Sequence, residues 1–123
     1  MSESEFRVLV VDDDEFVRIN MTAYLEDEGF AVLSASSGED ALEILEREAV
    51  DLAAVDMRLP GMDGNAFIIR ANELRPAIRF IVHTGSIDYK IPAPLKAAGV
   101  QTEHVLLKPL DDMDVFRETI LSL

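Results

Sequence analysis

The chain has 123 residues, 49% hydrophobic and 28% charged, and its acids exceed its bases 24 to 11 for a net charge of −13. That length suits one domain, residues 1–123, around one buried core. No stretch approaches the roughly 18 apolar residues of a membrane helix, and the negative charge opposes the phosphate contacts on which direct nucleic-acid binding depends. The N-terminus MSESEF offers no basic, apolar signal region and there are no cysteines, so a soluble protein in a reducing cytoplasm is expected.

Along the chain, short apolar runs alternate with helix-period segments. Phe6 to Val11 is a near-continuous apolar run of strand length, as expected where both faces of a parallel strand are covered. Phe16, Ile19, Ala23 and Tyr24 recur at helical spacing, and Gly29 supplies a stop. The alternation continues with a strand over Phe30 to Ala35, a helix over Gly38 to Glu48 and a strand over Leu52 to Val55. A helix over Asn65 to Leu74 and a strand over Ile78 to Val82 follow. Pro92 and Pro94 stand where a fourth helix should begin, and proline is tolerated only in a helix's first turn. A long loop and a short or irregular helix over Pro94 to Ala98, stopped by Gly99, are therefore expected. Val105 to Leu107 reads as a short fifth strand. Asp111 to Leu123 reads as an amphipathic helix, with Met113, Val115, Phe116, Ile120 and Leu121 available to pack. Five such units imply an α/β fold, a doubly wound parallel sheet with helices on both faces, because parallel neighbours need crossover connections.

In open sheets of this kind ligands bind beyond the carboxyl ends of the strands. The first strand ends there in Asp12, Asp13 and Asp14, the third in Asp56, the fourth in Thr84 and the fifth in Lys108-Pro109. Clustered carboxylates repel one another unless something positive sits among them. An all-oxygen set without His or Cys suits Mg²⁺, which takes a few carboxylates, retained waters and phosphate oxygens. Lys108 adds a fixed positive charge for a phosphate oxygen or carboxylate, and Thr84 a hydrogen bond. Asp56 can then serve as a nucleophile toward phosphorus. Asp14 also fits an N-cap before the first helix. His83 reads as a satisfied core histidine, His104 as a strand-start residue, and Met57 and Met62 as loop packing.

Leu9-Val10-Val11-Asp12-Asp13 resembles the first strand and acidic pair of bacterial response-regulator receiver domains, and Asp56 to Gly64 (DMRLPGMDG) resembles their phosphoacceptor loop. His83-Thr84-Gly85 and Leu107-Lys108-Pro109 follow in the right order, so the resemblance spans the whole chain. It implies the strand order 2-1-3-4-5, with Asp56 as phosphoacceptor and Asp13 as a direct Mg²⁺ ligand for which Mn²⁺ can substitute. It also implies Asp12 as a ligand through water, Arg58 as a ligand through its backbone carbonyl, and Thr84 and Lys108 on the phosphoryl oxygens. The implied partners are a sensor histidine kinase or histidine phosphotransfer protein as donor, and a downstream protein or a C-terminal effector domain as output. A homodimer is also open, and the resemblance implies a regulator and not an enzyme. Three departures stand out. The segment from Thr84 to Lys108 is longer than usual, Val105 holds the place of an aromatic switch residue, and Arg58 is a bulky cation beside the site.

Two other chemistries compete. Asp12-x-Asp14 satisfies the nucleophile motif of a haloacid-dehalogenase-type phosphohydrolase, which would have no use for Asp56 and its loop. A flavodoxin-like FMN binder would bring a phosphate against three aspartates. A degenerate receiver acting only as a binding module shares the fold but not the chemistry.

Overall fold

The computed structural model describes residues 6–108 and 113–123. Pro109 of the Lys-Pro motif and the expected start of the last helix at Asp111 lie outside them. The elements are β1 (Arg7–Val11), α1 (Glu15–Asp27), β2 (Ala31–Ala35), α2 (Gly38–Arg47), β3 (Leu52–Asp56), α3 (Gly64–Leu74), β4 (Arg79–Thr84), α4 (Ala93–Ala97), β5 (Val105–Leu107) and α5 (Asp114–Leu121). A single 3-10 turn, Thr102–His104, precedes β5, so His104 is buried just before the strand and does not begin it. The five strands are parallel in the order β2-β1-β3-β4-β5.

Side chains of a strand alternate between the faces of a sheet, and the apolar runs divide accordingly. Val8, Val10, Leu52, Ala54, Ile81 and Leu106 pack with Met21 and Leu25 of α1 and Phe116 and Ile120 of α5. Leu9, Val11, Ala53, Val55, Phe80 and Val82 pack on the opposite face, against residues of α2, α3 and α4 that include Leu45, Phe67 and Leu95. Each fully buried Leu or Phe in these layers stabilises the fold by about 1.5–3 kcal/mol.

Strands β3 and β4 end in Asp56 and Thr84, as expected, each running past the Val55 and Val82 at which its apolar run stops. Three helices differ from expectation in detail. Helix α4 starts at Ala93, with Pro94 in its first turn and Gly99 beyond its end at φ +95°. On α1 the helical period is right but the phase is not. Met21 and Leu25 are buried and Val17 and Tyr24 pack beside them, while Phe16 and Ile19 stand 74% and 59% exposed. On α5, Phe116 and Ile120 are buried, whereas Val115 and Leu121 are exposed.

Helix starts are capped by the side chains expected of short polar residues. Ser37 Oγ accepts from Asp40 N–H on α2, and Asp63 Oδ1 accepts from Ala66 N–H on α3. Gly61 adopts φ +72°, and Met62 N–H donates to Glu39 Oε2 at 3.2 Å, which ties the loop after β3 to α2. Gly64 is packed against β3 so closely that a Cβ there would sit 2.5 Å from the Asp56 carbonyl oxygen. The start of α3 is thereby pressed onto the segment that carries Asp56.

Candidate functional site

The order in which parallel strands are added reverses at β1, which has β2 on one side and β3 on the other. That is the switch point beyond which α/β sheets hold ligands. Asp12 follows β1 there and is 2% exposed, Asp56 ends β3 at 6%, and Asp13 is exposed. One carboxylate oxygen from each of Asp12, Asp13 and Asp56 lies within 4.8 Å of the others. A cleft of about 380 Å³ opens on them, lined also by Asp14, Arg58, Gly85 and Lys108.

Lys108 Nζ donates to Asp12 Oδ2 at 2.8 Å and stands 3.4 Å from Asp56 Oδ2. It follows β5, and its own N–H donates to the Thr84 carbonyl at 2.8 Å, so the backbone pairing of β4 and β5 sets its reach. Burial acts to lower the Lys108 pKa, but the hydrogen bond and charge of Asp12, then of Asp56, outweigh it and leave it raised. Asp56 is pushed up, chiefly by burial and further by Asp12, against the Arg58 N–H that donates to its Oδ1 at 3.1 Å and against Lys108. Thr84 is buried, and its Oγ1 accepts from Ser86 N–H at 3.1 Å.

The structure therefore brings Asp12, Asp13, Asp56, Lys108 and Arg58 to one cleft, with Thr84 at the end of the adjacent strand. Asp14 lines the same cleft, and its N–H donates to Asp12 Oδ1 at 3.0 Å, but its own Oδ1 accepts from Phe16 N–H and Val17 N–H as the N-cap of α1. Its carboxylate is thereby committed to the helix and is not one of the three clustered oxygens. Met57 and Met62 pack against the core beneath the loop, as expected. His83 is buried, also as expected, but it is not satisfied: neither ring nitrogen has a hydrogen-bond partner among the described residues. Its ring meets Phe116 of α5 edge-on. The capping duty of Asp63 went unread in the sequence, although an Asp before a helical run is its signal.

The family model for the response regulator receiver domain matches residues 8–120. The chain belongs to this family. Its relatives include the sporulation initiation phosphotransferase F of Bacillus subtilis (strain 168), 32% identical over 114 residues that cover 93% of this chain and 90% of that one. The transcriptional regulatory protein GlrR of Escherichia coli (strain K12) is 32% identical over 90% of this receiver, which spans only 24% of that protein. Among solved structures, the CheX-CheY-BeF₃-Mg²⁺ complex of Borrelia burgdorferi has a chain that aligns with a TM-score of 0.84 and 26% identity, covering 95% of this chain and 87% of that one. The receiver family comprises regulators of two-component signalling, and the FMN and dehalogenase chemistries have no support beside it. Among the described residues no helix is long and apolar enough to cross a membrane.

Proposed function

We propose that this receiver, as one cytoplasmic domain, takes a phosphoryl group from a phosphohistidine of a sensor kinase or phosphotransfer protein onto Asp56. The observation that carries the reading is the buried Asp56 carboxylate held 3.4 Å from Lys108 within a cluster of three acids. An Asp56 carboxylate oxygen attacks phosphorus, the nitrogen–phosphorus bond breaks, and the donor imidazole leaves with its electron pair. Lys108 is positioned to meet charge on a phosphoryl oxygen, and the Thr84 hydroxyl, whose oxygen accepts from Ser86 N–H, can donate its proton to another. Asp12, Asp13, Asp56 and the Arg58 carbonyl would hold Mg²⁺ or Mn²⁺, whose all-oxygen preference they fit. Bound there, such an ion would supply positive charge against that developing on the transferred group. Phe16 and Ile19, exposed on α1 beside the acidic loop, offer an apolar surface for the donor. The phosphorylated surface acts on a downstream protein or effector domain, or pairs with a second copy. Beyond its own phosphotransfer and dephosphorylation the domain catalyses nothing. Incubation with acetyl phosphate tests this: intact mass should show one added phosphoryl group with Mg²⁺ or Mn²⁺ present and none with chelator. Uptake in chelator would overturn it.

The metal assignment separates neighbours in sequence. Asp13→Asn removes an exposed carboxylate of the cluster, whereas Asp14→Asn leaves a good N-cap and leaves in place the backbone N–H that Asp14 donates to Asp12 Oδ1. Calorimetric titration with Mg²⁺ should show a loss of about tenfold or more for Asp13→Asn and little change for Asp14→Asn. Equal losses would refute the register.

A further inference from the structure

With Val105 on β5, this receiver has no aromatic side chain on the strand beside Thr84. A β-branched side chain is stiff and has no ring to relocate. A ring packed against the same core comes instead from the loop after β4. Tyr89 is half-buried, packs against the same core as Val105, and lines with Val105, Ile87 and Ile91 a cleft of about 460 Å³ between that loop and β5.

Its hydrogen bonds join both halves of the site. Ser86 N–H donates to Thr84 Oγ1 at 3.1 Å, and Tyr89 N–H donates to the Ser86 carbonyl at 3.3 Å. The Tyr89 hydroxyl donates to Asn65 Oδ1 at 2.9 Å. Asn65 follows Gly64, whose N–H donates to the Met57 carbonyl at 3.3 Å and whose Cα is pressed against the Asp56 carbonyl. A chain of contacts thus runs from the Thr84 hydroxyl through Tyr89 to the backbone beside Asp56. In this arrangement the Thr84 oxygen accepts from the Ser86 turn, and a hydroxyl can accept there while donating elsewhere. It is displacement of the side chain toward a group on Asp56 that would stretch the bond joining Thr84 to the loop.

We propose that Tyr89 is the aromatic latch of this receiver, a positioning residue that holds the β4–α4 loop in its unphosphorylated arrangement through Asn65 and lets go when Thr84 moves. The proposal rests on the phosphoacceptor reading of Asp56. Release frees the ring to move along the adjacent cleft, so the side-chain rearrangement occurs on the loop and not on β5. A two-state element of this kind is biased by any contact made in one state only.

The chain has two tyrosines, Tyr24 and Tyr89, so protein labelled with 3-fluorotyrosine gives two fluorine resonances, assigned with Tyr24→Phe. Adding Mg²⁺ and beryllofluoride should shift the Tyr89 resonance and leave that of Tyr24 in place. Perturbed amides at Thr84 and Lys108 with an unmoved Tyr89 resonance would overturn the latch alone. No response at either place would overturn the phosphoacceptor reading, and the latch with it. Tyr89→Phe removes only the hydroxyl, and Asn65→Ala removes the carboxamide that accepts from it. Each should tighten beryllofluoride binding on the order of twofold to tenfold, the worth of one hydrogen bond made in the resting state only. The double variant should gain no more than either single change, since both delete the same contact. A tyrosine that merely packs the core would leave affinity unchanged in Tyr89→Phe, and that result refutes the proposal.

Discussion

Asp56→Asn should eliminate phosphoryl uptake entirely while leaving the fold intact. The amide keeps the shape of the carboxylate but has no charged oxygen to attack phosphorus, and among the described residues no other carboxylate stands in its place. Asp12 is engaged by Lys108 at 2.8 Å, Asp13 is exposed, and Asp14 caps α1. Lys108 is not orphaned by the change because Asp12 remains its nearer partner. Intact-mass measurement after acetyl phosphate and Mg²⁺ should show one phosphoryl group on the native protein and none on the variant. Modification that persists would sink the assignment. A second consequence concerns stability without metal. Burial holds the Asp56 pKa above its ordinary value of 3.8, so just above that value the native state binds more protons than the unfolded chain. Stability contributed by this group therefore falls as pH rises through that window. Asn carries no such penalty, and the melting temperature of Asp56→Asn in metal-free neutral buffer should lie at or above that of the native protein.

His83 should make the protein acid-labile well above the carboxylate range. Its ring is 6% exposed, neither nitrogen has a partner among the described residues, and burial first, then Lys108, lowers its pKa from 6.5 to about 4 against the opposing pull of Asp12. Between those two values the unfolded chain holds a proton that the native state refuses. Stability from this group is thus complete above about pH 6.5 and declines by about 1.4 kcal/mol per pH unit toward pH 4, about 3 kcal/mol in all. Replacing the ring by Leu removes both the titration and two unsatisfied nitrogens, each a desolvation cost of about 1–3 kcal/mol in such a setting. Urea unfolding from pH 7 to pH 4 should show the native protein losing its advantage steadily while His83→Leu shows a much shallower decline. Parallel curves for the two proteins would disprove the account.

Much of the site could be read before any coordinates. The apolar runs of β1, β3, β4 and β5 each stop at a residue of distinct chemistry, and a parallel sheet must present those stops at one edge. That logic reaches Asp12, Asp13, Asp56, Thr84 and Lys108 without a distance. It does not reach the division of labour among them. Asp12, Asp13 and Asp14 are adjacent and chemically alike, and only the turn into α1 decides that Asp14 faces the helix backbone. Lys108 Nζ sits nearer Asp12 than Asp56, 2.8 against 3.4 Å, although β3 lies between β5 and β1, and no local pattern encodes that choice.

By itself the sequence determined the order of elements, the parallel sheet and the kinds of groups that meet at its edge, because period and composition are local properties. Tertiary structure decided phase and partners. Helix α1 carries apolar residues around more than one face, so its period is compatible with burying Phe16 and Ile19 or Met21 and Leu25. Packing against Val8, Val10 and α5 selected the second pair and left the first on the surface. The same contacts enclosed His83 against Phe116 without a hydrogen-bond partner among the described residues. They also left Tyr89, on the loop after β4, as a ring packed against the same core as Val105. Which face a helix buries and whether a buried polar atom finds a partner depend on residues distant in the chain, and only the folded arrangement brings those together.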